Sequence, residues 1–352
     1  MLDPTIRLHV VTGKGGTGKT TVAAALALAL ARDGGRVLLA EVEGRQGLAQ
    51  VFGRAPLPYE ATELARSGRG SVHGLAVEAK AALLEYLDVF YRLGRAGRTL
   101  ERLGAIDFAT TIAPGLRDVL LTGKVYDALR QRADGRRGDG PPAWDAVVLD
   151  APPTGRIARF LNVNDALAGL ARMGPIHGQA ESIMEMLTSA TTAVHVVTLL
   201  EDMPVQETCD AVAELARLRL PLGAVLVNQV RPALLTEADL ADAAGSGLTA
   251  ADVGPDLLAA LEAAGVAIHG TGYEMIAALL DEAAQHARRV SGEREQAERL
   301  LDLEMPIVDL PQLPGVAEGM DVTALHALAD VLVAVSRPAP SQPHPQPSPV
   351  TR

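Results

Sequence analysis

A chain of 352 residues has room for one large α/β domain or two modest ones. Hydrophobic residues make up 48% of it and aromatics only 3%, so its core must be built from Ala, Leu and Val. A formal net charge of −11 argues against a general nucleic-acid binder, while leaving room for a local basic patch, and the single cysteine, Cys209, excludes an intramolecular disulfide framework and fits a reducing compartment.

The N-terminus lacks the basic stretch, apolar run and cleavage site of a secretory signal. The first element is a strand-like run, Arg7 to Thr12, followed at once by Gly13-Lys14-Gly15-Gly16-Thr17-Gly18-Lys19-Thr20-Thr21. Gly13, Gly18, Lys19 and Thr20 fit the phosphate-loop pattern G-x-x-x-x-G-K-[ST]. Glycines let backbone N–H groups turn inward around phosphate oxygens, and the helix that follows points its positive N-terminus at them. Gly15, Gly16, Thr17, Gly18, Lys19, Thr20 and Thr21 are therefore the expected nucleotide-binding residues. Lys19 would reach the β/γ-phosphates and the Thr20 hydroxyl would hold a magnesium ion. Lys14 goes beyond the ordinary pattern; one dimeric subclass of these loops uses such a second lysine to touch the partner's nucleotide. Val22 to Ala31, the most apolar run, is too short to span a bilayer and reads as a buried helix. A cytoplasmic protein without an integral membrane segment is expected.

The next strand, Arg36 to Val42, leads into Glu43-Gly44-Arg45. Glu41 and Glu43 share a face in extended geometry. One of them, Glu43 in preference, could orient or deprotonate an attacking water; a pair of solvated edge carboxylates is the alternative. A strand over Val72–Val77 precedes a helical insertion from Glu78 to about Gln131, and Arg130 to Pro142 reads as a solvated surface loop. Trp144 is expected to pack beside the strand Ala146–Leu149. That apolar strand runs into Asp150, the form expected of a carboxylate that organises magnesium, although such residues also cap helices. The turn Ala151-Pro152-Pro153-Thr154-Gly155 could carry a loop up to the γ-phosphate.

Asn162 to Thr192 reads as a second helical insertion, with Ile183, Met184, Met186 and Leu187 as a core stripe and His177 in a loop. Strands are expected at Ala193–Leu199, Gly223–Asn228 and Pro306–Leu310, with His9 and His195 as satisfied core histidines. Thr236 to Leu303 is mostly helical. Short, nearly continuous apolar strands alternating with helices predict an α/β fold with a doubly wound, mostly parallel sheet, and ligands at the carboxyl ends of its strands. The expected organisation is one phosphate-loop domain over residues 1–336, with helical insertions near 78–131, 162–192 and 236–303. A Pro-rich disordered tail over 337–352 follows it.

In order along the chain these elements resemble the ArsA family of arsenite-transporting ATPases, which includes the targeting ATPase of the guided-entry pathway for tail-anchored proteins. The similarity is carried by the two-lysine loop Gly13–Thr21, a deviant Walker A sequence, and by Asp150-Ala151-Pro152-Pro153-Thr154-Gly155, similar to the family's second switch. Further matches are Ala113-Pro114-Gly115-Leu116-Arg117-Asp118, the stretch Thr198 to Thr208, Val227-Asn228-Gln229 and Leu310-Pro311-Gln312-Leu313-Pro314. The short, single-domain bacterial members, including an actinobacterial type, are the most similar. The resemblance implies ATP and Mg2+ as cofactors, with Thr20 and Asp150 at the metal and Asn228 and Pro311 near the adenine. It implies Lys14, Lys19 and Glu43 as the catalytic set, and a homodimer, or a heterodimer with a paralogous chain, in which Lys14 crosses to the neighbour's nucleotide.

The departures are specific. Where the family's first switch reads D-P-A-H this chain has Glu43-Gly44-Arg45-Gln46, and Arg156 stands where a histidine is customary in the second switch. Cys209 alone cannot build the pump's metalloid site, and the targeting factor's C-x-x-C is missing. The expected function is a magnesium-dependent dimeric ATPase that couples closure to a membrane protein or other client, with no nucleic-acid partner. A nucleotide-gated scaffold with little hydrolysis and a positioning ATPase like those of the ParA and MinD groups are the alternatives.

Overall fold

The structure is a computed structural model that describes residues 2–42, 44, 46–91, 114–133, 140–163, 175–245, 249–267, 272–313 and 321–336. Its strands are β1 (Leu8–Gly13), β2 (Arg36–Glu41), β3 (Thr62–Ser67), β4 (Gly70–Ala76), β5 (Ala146–Asp150), β6 (Thr192–Thr198), β7 (Leu222–Val230) and β8 (Ile307–Pro311). The described helices are α1 (Lys19–Ala31), α2 (Gly47–Val51), α3 (Ala79–Tyr91), α4 (Pro114–Arg130), α5 (Thr154–Leu161) and α6 (Pro175–Leu187). They continue with α7 (Asp202–Arg217), α8 (Glu237–Ala244), α9 (Ala250–Ala263), α10 (Tyr273–Leu301) and α11 (Val322–Ser336).

The strands form one sheet in the order β3-β4-β2-β5-β1-β6-β7-β8, and every neighbouring pair is parallel except β3 with β4. The apolar runs explain this. Leu8, Val10, Leu38, Ala40, Val147 and Leu149 face one side, where they meet Val119 and Val125 of α4, Ile157 and Phe160 of α5 and Ile183 of α6. Val11, Val37, Leu39, Val148 and Val197 face the other, against α1 and against Leu325, Leu328 and Leu332 of α11. A strand covered on both faces has no polar side to spare, so its sequence is apolar throughout. The stretches read as insertions over 78–131 and 162–192 thus also supply α4 and α6 to one cover of the sheet.

Helix α1 is buried at every residue from Val22 to Ala29. Its sequence there is one valine, five alanines and two leucines, and the small alanines let sheet and helices approach it from all sides. The long helix α10 packs on α7, α8 and α9.

The strand β3 was not expected from the sequence. Thr62-Glu63-Leu64-Ala65-Arg66-Ser67 is polar and half exposed because it is an antiparallel edge strand, so it carries no apolar run. β4 starts two residues earlier than the expected Val72, and β7 extends past Asn228 to Val230. Among the described residues no helix is long and apolar enough to cross a membrane. The tail 337–352 and the middle of the loop between Arg130 and Pro142 lie outside the described residues.

This topology places the site. β1 lies between β5 and β6. The chain leaves β1 towards β2 on one side and leaves β5 towards β6 on the other, so the loops part above the carboxyl ends of β1 and β5. Such a switch point is where α/β sheets bind ligands.

Candidate active site

The glycine loop fills that crevice. A Cβ on Gly13 would sit 2.2 Å from the Val197 carbonyl oxygen of the adjacent β6, so only glycine lets the chain leave the sheet there. The hydroxyl and the N–H of Thr17 both donate to the Lys14 carbonyl, at 2.9 and 3.3 Å, and the Lys19 ammonium reaches the same oxygen at 3.5 Å. Gly15 and Gly16 face open space, with no heavy atom within 4 Å of where their side chains would start. α1 then begins at Lys19 with no side-chain cap and no acidic residue in its first turn. The helix dipole favours an anion at this end, where backbone N–H groups point towards the loop. A phosphate chain fits this cradle. Thr21, in the same first turn, is half-buried.

Thr20 and Asp150 meet: the threonine hydroxyl donates to the carboxylate at 2.7 Å. Asp150 is in register with Val11 of β1 and Glu41 of β2, which puts it at the carboxyl edge beside the loop. A hydroxyl and a carboxylate are hard oxygen donors suited to magnesium, which is usually held by one or two side chains with substrate phosphates and water rather than by a protein cage. Among the described residues no group of three or more His, Cys, Asp or Glu could form such a cage. The turn after Asp150 is fastened to β1, with the Thr12 hydroxyl donating to the Pro152 carbonyl at 2.7 Å and the Ala151 N–H to the Val11 carbonyl at 2.9 Å.

Asn228 reaches the loop from the far side. The β7–β8 register slips between Val227 and Val230, and Gln229 adopts φ +57°. Beside this irregularity the Asn228 amide donates to the Thr17 carbonyl at 2.9 Å and presses on Gly18. Asn228 therefore braces the phosphate loop, a role its place in the sequence did not reveal. Pro311 ends the neighbouring strand β8, exposed and paired in register with Val230.

Of the two glutamates on the second strand, Glu41 is 4% exposed, so it is no solvated edge group. Its carboxylate accepts the N–H groups of Gly47 at 3.1 Å and Leu48 at 3.0 Å, capping α2. Glu43 lies outside the described residues; His177 lies in helix α6 rather than in the expected loop, its side chain outside the described residues.

Lys14 is held within its own chain. Its ammonium lies 2.9 Å from Glu207 Oε1 on α7, and the Thr154 hydroxyl at the start of α5 donates to Glu207 Oε2 at 3.0 Å. The hydrogen bond from Lys14, with a smaller contribution from Thr154, holds the Glu207 carboxyl below its ordinary value. Glu207 falls in the Thr198–Thr208 stretch that carries part of the resemblance, but no local spacing reveals that it meets Lys14.

Below the loop, His9 of β1 and His195 of β6 stack with centroids 5.4 Å apart, and His9 Nδ1 lies 3.2 Å from His195 Nε2. The Ala224 N–H donates to His195 Nδ1 at 3.2 Å. The His195 proton therefore sits on Nε2 and points at His9 Nδ1, which leaves the His9 proton on Nε2, without a partner among the described residues. Burial pushes the two imidazoles down, to about 4 for His9 and about 3 for His195. Trp144 and the stripe Ile183, Met184, Met186 and Leu187 are core, as expected.

Comparison with known proteins agrees with this geometry. Residues 6–190, just over half of the chain, match the model of the anion-transporting ATPase family, ArsA. The chain is 51% identical over 328 residues to the ATPase BagA of Mycobacterium tuberculosis (strain ATCC 25618 / H37Rv), an alignment that covers 93% of this chain and 92% of that one. The chain belongs to the ArsA ATPase family. As a member it is an ATPase built on the α/β phosphate-loop fold. More distant similarity reaches the ATPase GET3 of Kluyveromyces lactis, 26% identical over 67% of this chain and 75% of that protein. The ATPase GET3 of Candida glabrata is 25% identical over 62% and 71%.

Proposed function

We propose that this ArsA-family protein is a magnesium-dependent ATPase that works as a dimer, with ATP-driven closure of two chains coupled to the handling of a membrane protein or other client. The observation that carries the proposal is the Thr20–Asp150 hydrogen bond, 2.7 Å long, beside the uncapped N-terminus of α1. In this reading residues 1–336 act as one ATPase domain in the cytoplasm.

Backbone N–H groups of Gly15, Gly16 and Gly18 and of the first turn of α1 bind the phosphate oxygens, with Thr21 completing the turn. Lys19 stabilises the charge that spreads over the transferred phosphoryl group. Magnesium, which Thr20 and Asp150 would hold, supplies neutralising charge at the phosphates. Asn228 and Pro311 stand near the adenine, and Lys14 reaches the neighbour's nucleotide in a homodimer or in a heterodimer with a paralogous chain. With the Glu41 carboxylate committed to α2, orienting the attacking water falls to Glu43.

Phosphate release by the purified protein, measured with and without magnesium and beside Lys19→Ala, tests the proposal. Loss of a charge-stabilising donor is expected to cost about a hundredfold or more in turnover. Unchanged turnover in Lys19→Ala would sink the assignment.

A second reading, a nucleotide-gated scaffold that barely hydrolyses ATP, is favoured by the same Glu41 geometry. It leaves the water to Glu43, one methylene longer than the family's aspartate. Tight ATP binding with turnover equal to that of Lys19→Ala would select this reading.

A further inference from the structure

Glu207 joins three elements at the carboxyl edge of the sheet. One carboxylate oxygen holds the Lys14 ammonium and the other holds the Thr154 hydroxyl, so the phosphate loop, the turn after Asp150 and α7 share a single anion. α7 is itself tethered: Arg299 of α10 reaches Asp202 at 2.8 Å and Gln206 at 2.7 Å, on the first turns of the same helix. The Lys14 and Glu207 side chains are 29% and 35% exposed, so the pair lies at the surface of the carboxyl edge. A lysine that engages a neighbour's nucleotide cannot also keep this partner.

We infer that Glu207 is a latch in cis, a positioning residue that holds Lys14 on its own chain and must release it before two chains close around nucleotide. The inference rests on the dimeric reading above. A partly exposed pair of this kind is worth about 1 kcal/mol or less. That suits a latch: it sets a threshold that an arriving phosphate chain and a second protomer can overcome. Release of Lys14 also leaves Glu207 to Thr154 alone, so the turn that follows Asp150 feels the closure. Through Arg299 the same event reaches α10 and the helices packed on it.

The test is the dimer dissociation constant from sedimentation velocity, in magnesium and the non-hydrolysable analogue AMP-PNP. It compares the wild type, Glu207→Gln, Glu207→Asp, Lys14→Ala and the double variant Lys14→Ala/Glu207→Gln, each checked for an unchanged thermal melt. Glu207→Gln keeps the shape but removes the charge, and it is expected to tighten the dimer about two- to fivefold, the range of an exposed ion pair. Glu207→Asp keeps the charge and is expected to remain within about twofold of wild type. In the Lys14→Ala background Glu207→Gln is expected to change nothing, because nothing is left to release. A wild type that dimerises while Glu207→Gln dimerises equally or more weakly overturns the latch alone. A wild type that stays monomeric in AMP-PNP overturns the dimeric reading and the latch with it. If Glu207→Gln melts early, Glu207→Ala is compared by the same measure under the same two criteria.

Discussion

The amide of Asn228 occupies the space that a side chain at position 18 would need: a Cβ built on Gly18 meets Asn228 Nδ2 at 2.4 Å. Gly18 also lies at φ +85°, a conformation that costs an L-residue about 1–2 kcal/mol. Gly18→Ala is therefore expected to displace Asn228, release its hydrogen bond to Thr17 and weaken ATP binding about tenfold or more. Calorimetric titration of ATP measures this, and Asn228→Ala, which removes the same hydrogen bond, should reproduce part of the loss in the wild-type background. Equal affinities for wild type and Gly18→Ala would show that the brace does not matter to the loop.

Glu41 is expected to matter through the loop it closes. Glu41→Gln puts an amide donor where the carboxylate accepts two N–H groups, leaving one of them unsatisfied at a cost of about 1–3 kcal/mol. Urea unfolding should register that loss. Phosphate release should fall as well, because the segment carrying Glu43 starts at this residue and returns to it at Gly47. A variant destabilised by this amount with wild-type turnover would separate the cap from the chemistry.

The buried histidine pair sets a pH dependence of stability. In the unfolded chain each imidazole takes up a proton near pH 6.5, but in the fold only near about 4 for His9 and about 3 for His195. The unfolded state therefore binds more protons in between. Stability is fully present above pH 6.5 and falls as the pH drops towards 4, by about 1.4 kcal/mol per pH unit for each histidine. Urea midpoints at pH 7 and pH 5 should differ accordingly, and His9→Gln should roughly halve the slope. A flat profile would mean that the pair is not neutral in the fold.

Gly223 belongs to the same cluster. A Cβ there would lie 2.5 Å from His195 Cε1 and 2.6 Å from His195 Nδ1. Gly223→Ala is expected to lower stability by about 1–3 kcal/mol through overpacking, read as an earlier thermal melt. Nucleotide affinity should change far less, since the ring lies below the loop.

What could be read from the sequence followed from local physics. The phosphate loop, the strands buried on both faces and the Asp150 strand end each carry their reason within a few residues, and they lie where that reasoning places them. β3 was missed because an edge strand needs no apolar face, and Thr62–Ser67 has almost none. The sequence leaves Glu41 open as a solvated carboxylate, because the N–H groups of α2 cannot be seen from strand spacing. The Lys14–Glu207 pair and the Asn228 brace join residues far apart in the chain, and only the fold brings them together.

The burial of α1 has a mechanical consequence. With Val22 to Ala29 enclosed by the sheet on one side and by α11 on the other, the helix beneath the phosphates is a fixed post. It cannot slide or tilt without dragging the core, so displacement during turnover is left to lighter parts at the rim: the Lys14 side chain and the turn after Asp150. Substitutions inside α1 should accordingly appear as lost folding stability, whereas substitutions in those rim segments should appear as altered timing of the cycle.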